Sequence, residues 1–247
     1  MNVRKVALFV EGLAEQVFVS DFLIKWYEWD INKVGLACYK LHAGNEHDAP
    51  YPYGTVDSEN YFQIFNVGND SSVLSVMLDR ADSLHNAGYS LVVGLRDMFS
   101  KVYHQKTFQK NNERIIDPEL NERFIQSAKD TIEVSSKSLE LQMHFAIMEV
   151  EAWLLGMPKF MKLLQDINDP ETDIYHPAAK LKELMEAMGS GYDKHSKDIE
   201  SIIGNLEKEE YSALYESGRC LSFRRFVEVV VGNLSSCKEV YIPCKNY

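Results

Sequence analysis

The chain has 247 residues, 45% apolar and 26% charged, enough for a real core in one large domain or a domain and a half. Its net charge of −11 argues against a general nucleic-acid coating protein, but leaves room for a local basic track or a carboxylate site that needs divalent cations. No apolar run approaches the ~20 residues that span a bilayer, and Val6–Val10 is too short for a signal-peptide core, so the expectation is a cytoplasmic protein.

In chain order, Val3–Val10 reads as a short buried strand and Glu15–Trp29 as an amphipathic helix with Phe18, Phe22, Leu23 and Trp26 on its inner face. Gly35–Leu41 reads as a second strand, and His42–Ser58, with Gly44, Pro50, Pro52 and Gly54, as a turn-rich loop. His42, Glu46, His47 and Asp48 in that loop have no spacing that an element would impose on metal ligands, and read as polar loop residues. Tyr61–Val67 is a third strand. Ser71–Asn86 follows as a helix with Val73, Leu74, Met77, Leu78, Ala81 and Leu84 at helical spacing, Asp70 as its candidate cap and Gly88 as its end. Tyr89–Leu95 is the strongest strand and runs straight into Arg96 and Asp97.

Residues 100–114, SKVYHQKTFQKNNER, read as a basic loop in which Lys101, Lys106, Lys110 and Arg114 alternate with Tyr103, His104 and Phe108. Lysines of that kind neutralise phosphates, and aromatic rings stack on unpaired bases. Pro118–Ser136 reads as a polar helix, Leu139–Met148 as a further strand and Glu149–Leu155 as the start of a helix. Beyond Pro158 the pattern is helical, with breaks near Pro170, Pro177, Gly189 and Gly218. Strands alternating with helices predict an α/β fold with a mostly parallel sheet over residues 1–156, and a helical C-terminal region, 157–247, packed on it. Cys38, Cys220, Cys237 and Cys244 show no C-x-x-C spacing, which argues against structural zinc; a bridge between Cys237 and Cys244 stays open.

Three strands end in acids. VALFV delivers Glu11, with Gly12 to turn the chain and Glu15 four residues on; LVVGLR delivers Asp97; and QMHFAIM delivers Glu149, with Glu151 just beyond. In open α/β sheets ligands gather outside the carboxyl ends of the strands. If these strands are neighbours, the carboxylates meet on one rim, at a cost that a cation offsets. Oxygen-only ligands suit Mg²⁺ or Mn²⁺.

Val10-Glu11-Gly12-Leu13-Ala14-Glu15, followed far along the chain by an apolar strand ending in Asp97, resembles the Toprim fold of topoisomerases, primases and OLD nucleases. Ala14 stands where Thr or Ser is usual in that pattern, and Phe99 stands where a second aspartate is usual. FAIMEVEAWLL (Phe145–Leu155), HPAAKLKEL, GYDKHSKDI and LSFRRFVEVV (Leu221–Val230) resemble more closely a bacterial Toprim-like family, over nearly the whole chain. The resemblance implies a Mg²⁺- or Mn²⁺-dependent nuclease acting on DNA or RNA, an effector of phage defence working with an ABC-type ATPase. A homo-oligomer is compatible with it.

On this reading Glu11 and Asp97 hold the principal metal, while Glu15, Glu149 and Glu151 complete a second site or orient water. Lys101, Lys106, Lys110 and Arg225 are the candidate phosphate contacts, with Lys194 as a further one. The other reading is a catalytically weakened Toprim-like module that binds nucleic acid or an ATPase partner, and Phe99 favours it. Phe160, Leu163 and Leu164, close to Lys159 and Lys162, form a candidate docking patch. There is no P-loop, no nucleophile elbow and no dinucleotide-binding glycine fingerprint.

Overall fold

The computed structural model describes residues 3–42, 45–69, 72–111, 115–135, 137–193 and 197–232. It is an α/β protein built on a six-stranded sheet in the order β3-β2-β4-β1-β5-β6. The strands are β1 (Arg4–Val10), β2 (Val34–His42), β3 (Asn45–Asp48), β4 (Asn60–Asn66), β5 (Leu91–Asp97) and β6 (Glu140–Ala146). All neighbours pair in parallel except β3, which runs antiparallel to β2 on the edge. Parallel sheets carry helices on both faces, so their inner strands are apolar without alternation, and Val6–Val10 is fully buried at the centre.

Right-handed crossovers in opposite directions put helices on opposite faces. Helix α1 (Leu13–Trp26) carries the chain from β1 past β4 to β2, and α2 (Val73–Asn86) carries it from β4 past β1 to β5. The α2 face is completed by α3 (Lys101–Asn111) and α4 (Pro118–Ser135), the α1 face by α5 (Val150–Gly156) and the C-terminal helices. These are α6 (Pro158–Met161), α7 (Pro170–Asp173), α8 (Pro177–Ala187), α9 (Lys197–Gly204), α10 (Lys208–Ser217) and α11 (Leu221–Val227), followed by a π-helical turn, Glu228–Gly232.

Several expectations change. Helix α1 is not amphipathic: Gln16 and Ser20 are buried against β2 and β4, while α9 and α10 cover the side away from the sheet and bury Lys25. Each polar group is matched. Gln16 Nε2 donates to the carbonyls of Tyr39 (3.0 Å) and Ile64 (3.1 Å), and Lys25 pairs with Asp21 at 2.7 Å, which also accepts from Tyr211. The turn-rich loop contains β3, polar because it is an exposed edge strand, so His47 and Asp48 pair in ladder register with Lys40 and Tyr39. Residues 101–111 of the basic segment are a helix rather than a loop, and Arg114 lies outside the described residues. Residues 101–111 contain no Gly or Pro, and α3 turns Tyr103 and Thr107 inward to full burial. Phe160 and Leu164 belong to the core, leaving Leu163 exposed, so the expected docking patch does not exist as a surface. Asp70, Lys194 and the Cys237–Cys244 pair lie outside the described residues; α2 takes Ser72 at its N-cap.

The C-terminal helices are clamped to the turn after β6 by a buried polar knot. Ser222 Oγ accepts from the backbone N–H of Ile147 (3.3 Å) and from Trp153 Nε1 (2.7 Å), and donates to Glu171. Glu171 also accepts from Trp153 Nε1 (3.2 Å) and the Ser222 N–H (3.2 Å). Gly156 makes room beside this knot: a Cβ there would come within 2.8 Å of Cys220 Sγ and Leu214 Cδ1. Burial outweighs these donors and pushes the Glu171 carboxyl up to about 7.

The sign of the linkage follows. A raised carboxyl keeps its proton in the folded state while the unfolded chain has lost it, so stability is full below the ordinary carboxylate value and falls as pH rises to about 7. Urea unfolding between pH 4.5 and 7.5 should show wild type losing up to roughly 3 kcal/mol relative to Glu171→Gln across that window. Parallel curves for the two proteins would remove Glu171 as the source.

Candidate metal centre

The acids predicted at strand tips meet because their strands do. β1 lies beside β5 and β5 beside β6, with Asp97 in register with Ala146. Beyond Ala146 the chain turns through Met148, a non-glycine residue at φ 62°. Its carbonyl accepts from the Phe99 N–H at 2.7 Å, and its side chain is fully buried. Backbone held in the left-handed region persists where the surroundings over-determine it, as they do here. The turn swings Glu149 to the amino end of α5 and places Glu151 on its first turn.

Asp97, Glu149 and Glu151 are each at most 2% exposed, and one carboxylate oxygen of each lies within 4.8 Å of the others. At that separation two negative charges repel by roughly 3–4 kcal/mol at an effective dielectric of about 20. The surrounding donors offset part of this. Asp97 Oδ1 accepts from the Val150 N–H (2.9 Å), and Glu149 Oε2 accepts from the Ala178 N–H (2.9 Å) and pairs with His176 Nδ1 (2.7 Å). Tyr192 donates its hydroxyl to Glu151. Burial, followed by the charge of Glu151 and its hydrogen bond, holds that phenol strongly protonated, with smaller contributions from Glu149 and Glu15.

Glu11 sits at the centre of the rim, half-buried, and its Oε2 accepts from the Asp97 N–H at 3.1 Å. It adjoins the three-acid cluster without being one of its members. Glu15 is buried, and its Oε2 folds back over Gly12, where a Cβ would stand only 3.1 Å away. A side chain at the strand tip would displace the Glu15 carboxylate by a few tenths of an ångström. The metal ligand set read from the sequence as Glu11, Asp97, Glu149 and Glu151 therefore divides into a tight trio and a neighbour one peptide away.

The basic residues are spread more widely. Lys101 opens α3 as an exposed side chain four residues past Asp97, while Lys106 places its ammonium 5.3 Å above the ring of Phe124. Lys110 lies in α3 outside the described side chains. Arg225 is exposed on α11, and its charge acts on His144 of β6, whose imidazole burial lowers to about 4.

Two residues at the centre carry no role that sequence reasoning assigns. His176 precedes α8, holds Glu149 and stacks on Phe99 at 4.6 Å with the rings 19° apart. Tyr192 lies between α8 and α9. Both fall inside the HPAAKLKEL and GYDKHSKDI segments, and that placement is the one signal the sequence offers.

The trio offers hard carboxylate oxygens alone, a donor set that fits Mg²⁺ or Mn²⁺ and suits softer metals poorly. Comparison of the chain with family models, curated proteins and solved structures returned no match.

Proposed function

We propose that this chain is a Mg²⁺- or Mn²⁺-dependent nuclease of the Toprim type, hydrolysing phosphodiester bonds at the carboxyl rim of its sheet. The observation that carries the reading is the trio of buried carboxylates within 4.8 Å of one another, converging from β5 and the β6–α5 turn. Asp97, Glu149 and Glu151 would hold the ion, and Glu11 would fix the backbone that presents Asp97. A bound divalent ion would polarise the phosphodiester and supply an activated water. His176 and the amides of Val150 and Ala178 orient the carboxylates, as outer partners do at metal sites. Lys101 stands where it could meet the phosphate backbone.

The resemblance adds an anti-phage setting and an ABC-type ATPase partner to this proposal. No helix among the described residues is long and apolar enough to cross a membrane. One observation favours a second reading, a weakened module that binds nucleic acid or the ATPase without cutting. Phe99 packs on His176 where the Toprim pattern carries a further acid, so a second ion would find one ligand fewer.

Metal binding separates these readings from an inert scaffold. Mn²⁺ at a hundred times its dissociation constant should stabilise the protein by about 2.7 kcal/mol, or roughly 5–10 °C in Tm. Asp97→Asn and Glu149→Gln should abolish that shift, and should raise the Tm of the metal-free protein by relieving repulsion. A wild-type Tm indifferent to Mn²⁺ would defeat the assignment. With a panel of DNA, transfer RNA and single strands, the same substitutions should lower cleavage by more than about 100-fold. A metal-binding wild type that cuts nothing in the panel would point to the module.

Lys101→Ala should weaken binding of every sequence alike and reduce the slope of log K against log salt by about one. An unchanged slope would leave Lys101 outside the interface.

A further inference from the structure

Beside the carboxylate trio the rim carries an aromatic shelf. His176 is exposed, yet its ring is held from two directions. One face stacks on Phe99, with ring centres 4.6 Å apart and planes 19° apart. At the edge, Nδ1 lies 2.7 Å from Glu149 Oε2. With one face on Phe99 and Nδ1 on Glu149, the 46% of the side chain that stays accessible belongs to the opposite face and the far edge. The imidazole therefore turns a flat face to solvent immediately beside a candidate metal ligand.

The support under that face is rigid. The Phe99 N–H donates to the Met148 carbonyl at 2.7 Å, which ties the lower ring to the turn that aims Glu149. Tyr175 meets Phe99 edge-on, at 5.5 Å and 88°, and its hydroxyl lies 3.0 Å from Thr107 Oγ1 and 3.2 Å from His104 Nδ1. Thr107 is fully buried in α3. Stacked rings inside a core bury both partners, whereas this stack ends at the surface. A planar ligand that lands on a ring already fixed in this way orders little else, so little side-chain entropy is lost. Tyr103, an aromatic of the basic segment, is fully buried and takes no part.

We infer that the outer face of His176 is a stacking platform for an unpaired base, so that the nucleic acid this chain takes is single-stranded at the site. In a duplex both faces of a base are covered by its neighbours, and only an unstacked base offers a face to a protein ring. A base is uncharged, so the carboxylates next to His176 do not oppose it. The phosphates of the same strand are charged, and for them the inference rests on the proposed metal site. Lys101, exposed at the start of α3 two residues past Phe99, adds a cation for the strand's backbone.

The test uses the full chain at saturating Ca²⁺ with a thymidine-rich DNA dodecamer that carries 5-iodouracil at its thymines, alone or annealed to its complement. Two substitutions separate the ring from its hydrogen bond. His176→Phe keeps the ring and loses the donor to Glu149, while His176→Asn keeps an N–H where Nδ1 stands and loses the ring. Single-strand affinity should fall about tenfold or more in His176→Asn and stay within about threefold of wild type in His176→Phe. Affinity for Mn²⁺ alone, read by calorimetry, should follow the opposite order, with His176→Phe losing about 10–100-fold and His176→Asn less. Near-ultraviolet irradiation of wild type with the single strand should give an adduct on the peptide that holds His176, a readout that needs no variant to fold. A duplex bound as tightly as the single strand, the same order of variants in both measurements, no adduct on His176, or a wild type that binds no single strand would each overturn the inference. A wild type that ignores Mn²⁺ but binds the single strand through the ring overturns the metal reading and leaves the platform standing.

Discussion

Like-charge repulsion among Asp97, Glu149 and Glu151 is the constraint around which the carboxyl rim is organised. Three buried carboxylates with oxygens within 4.8 Å of one another would spread into solvent if their backbones allowed it. Two features prevent that. The parallel register of β5 and β6 carries Asp97 and the Met148 turn to the same level, and amide donors from α5 and α8 point at the carboxylate oxygens. The C-terminal helices are therefore part of the site rather than an addition to the sheet. They supply His176 and Tyr192, and through Ser222 and Glu171 they hold the turn that aims Glu149.

The strands are legible in the sequence because they are buried on both faces. Unbroken apolar runs as short as Val6–Val10 and Leu91–Val93 fit a strand between two helical layers and little else. Elements whose character comes from their neighbours are not legible in this way. Edge strand β3 reads as Asn45-Glu46-His47-Asp48, a sequence that only pairing with β2 makes a strand. Helix α1 reads as one-sided from Phe18, Phe22 and Leu23, but its burial is set by α9 and α10, far along the chain. Lys25 shows this directly, since it donates to the carbonyls of Ile203 and Gly204. Helix α3 reads as a loop because its charges draw attention away from a run free of glycine and proline.

The acids of the site are legible for a physical reason: an apolar strand that ends in a carboxylate delivers it to the sheet rim, and neighbouring strands deliver theirs to the same place. Their grouping is not. Glu11 reads as the principal ligand, yet the turn at Met148 brings Glu149 and Glu151 into the cluster with Asp97 and leaves Glu11 bonded to the Asp97 amide. His176 and Tyr192, which hold the acids from the C-terminal region, sit in connections without periodicity. Their place in the HPAAKLKEL and GYDKHSKDI segments is the one signal, and it does not say which acid each of them holds.

Sheet order also sets which side chains stand along the rim. From β2 to β6 the tips read Lys40, Asn66, Glu11, Asp97 and then, past the turn, Glu149 and Glu151. Lys40 and Asn66 stand at one end beside Asp48 of β3, and the buried carboxylates stand at the other, with Glu11 between them as partner of the Asp97 backbone. Four strand spacings of about 4.8 Å make this row about 19 Å long. Glu11, placed where the two halves join, is tied to the acidic half through the hydrogen bond that its carboxylate accepts from the Asp97 N–H.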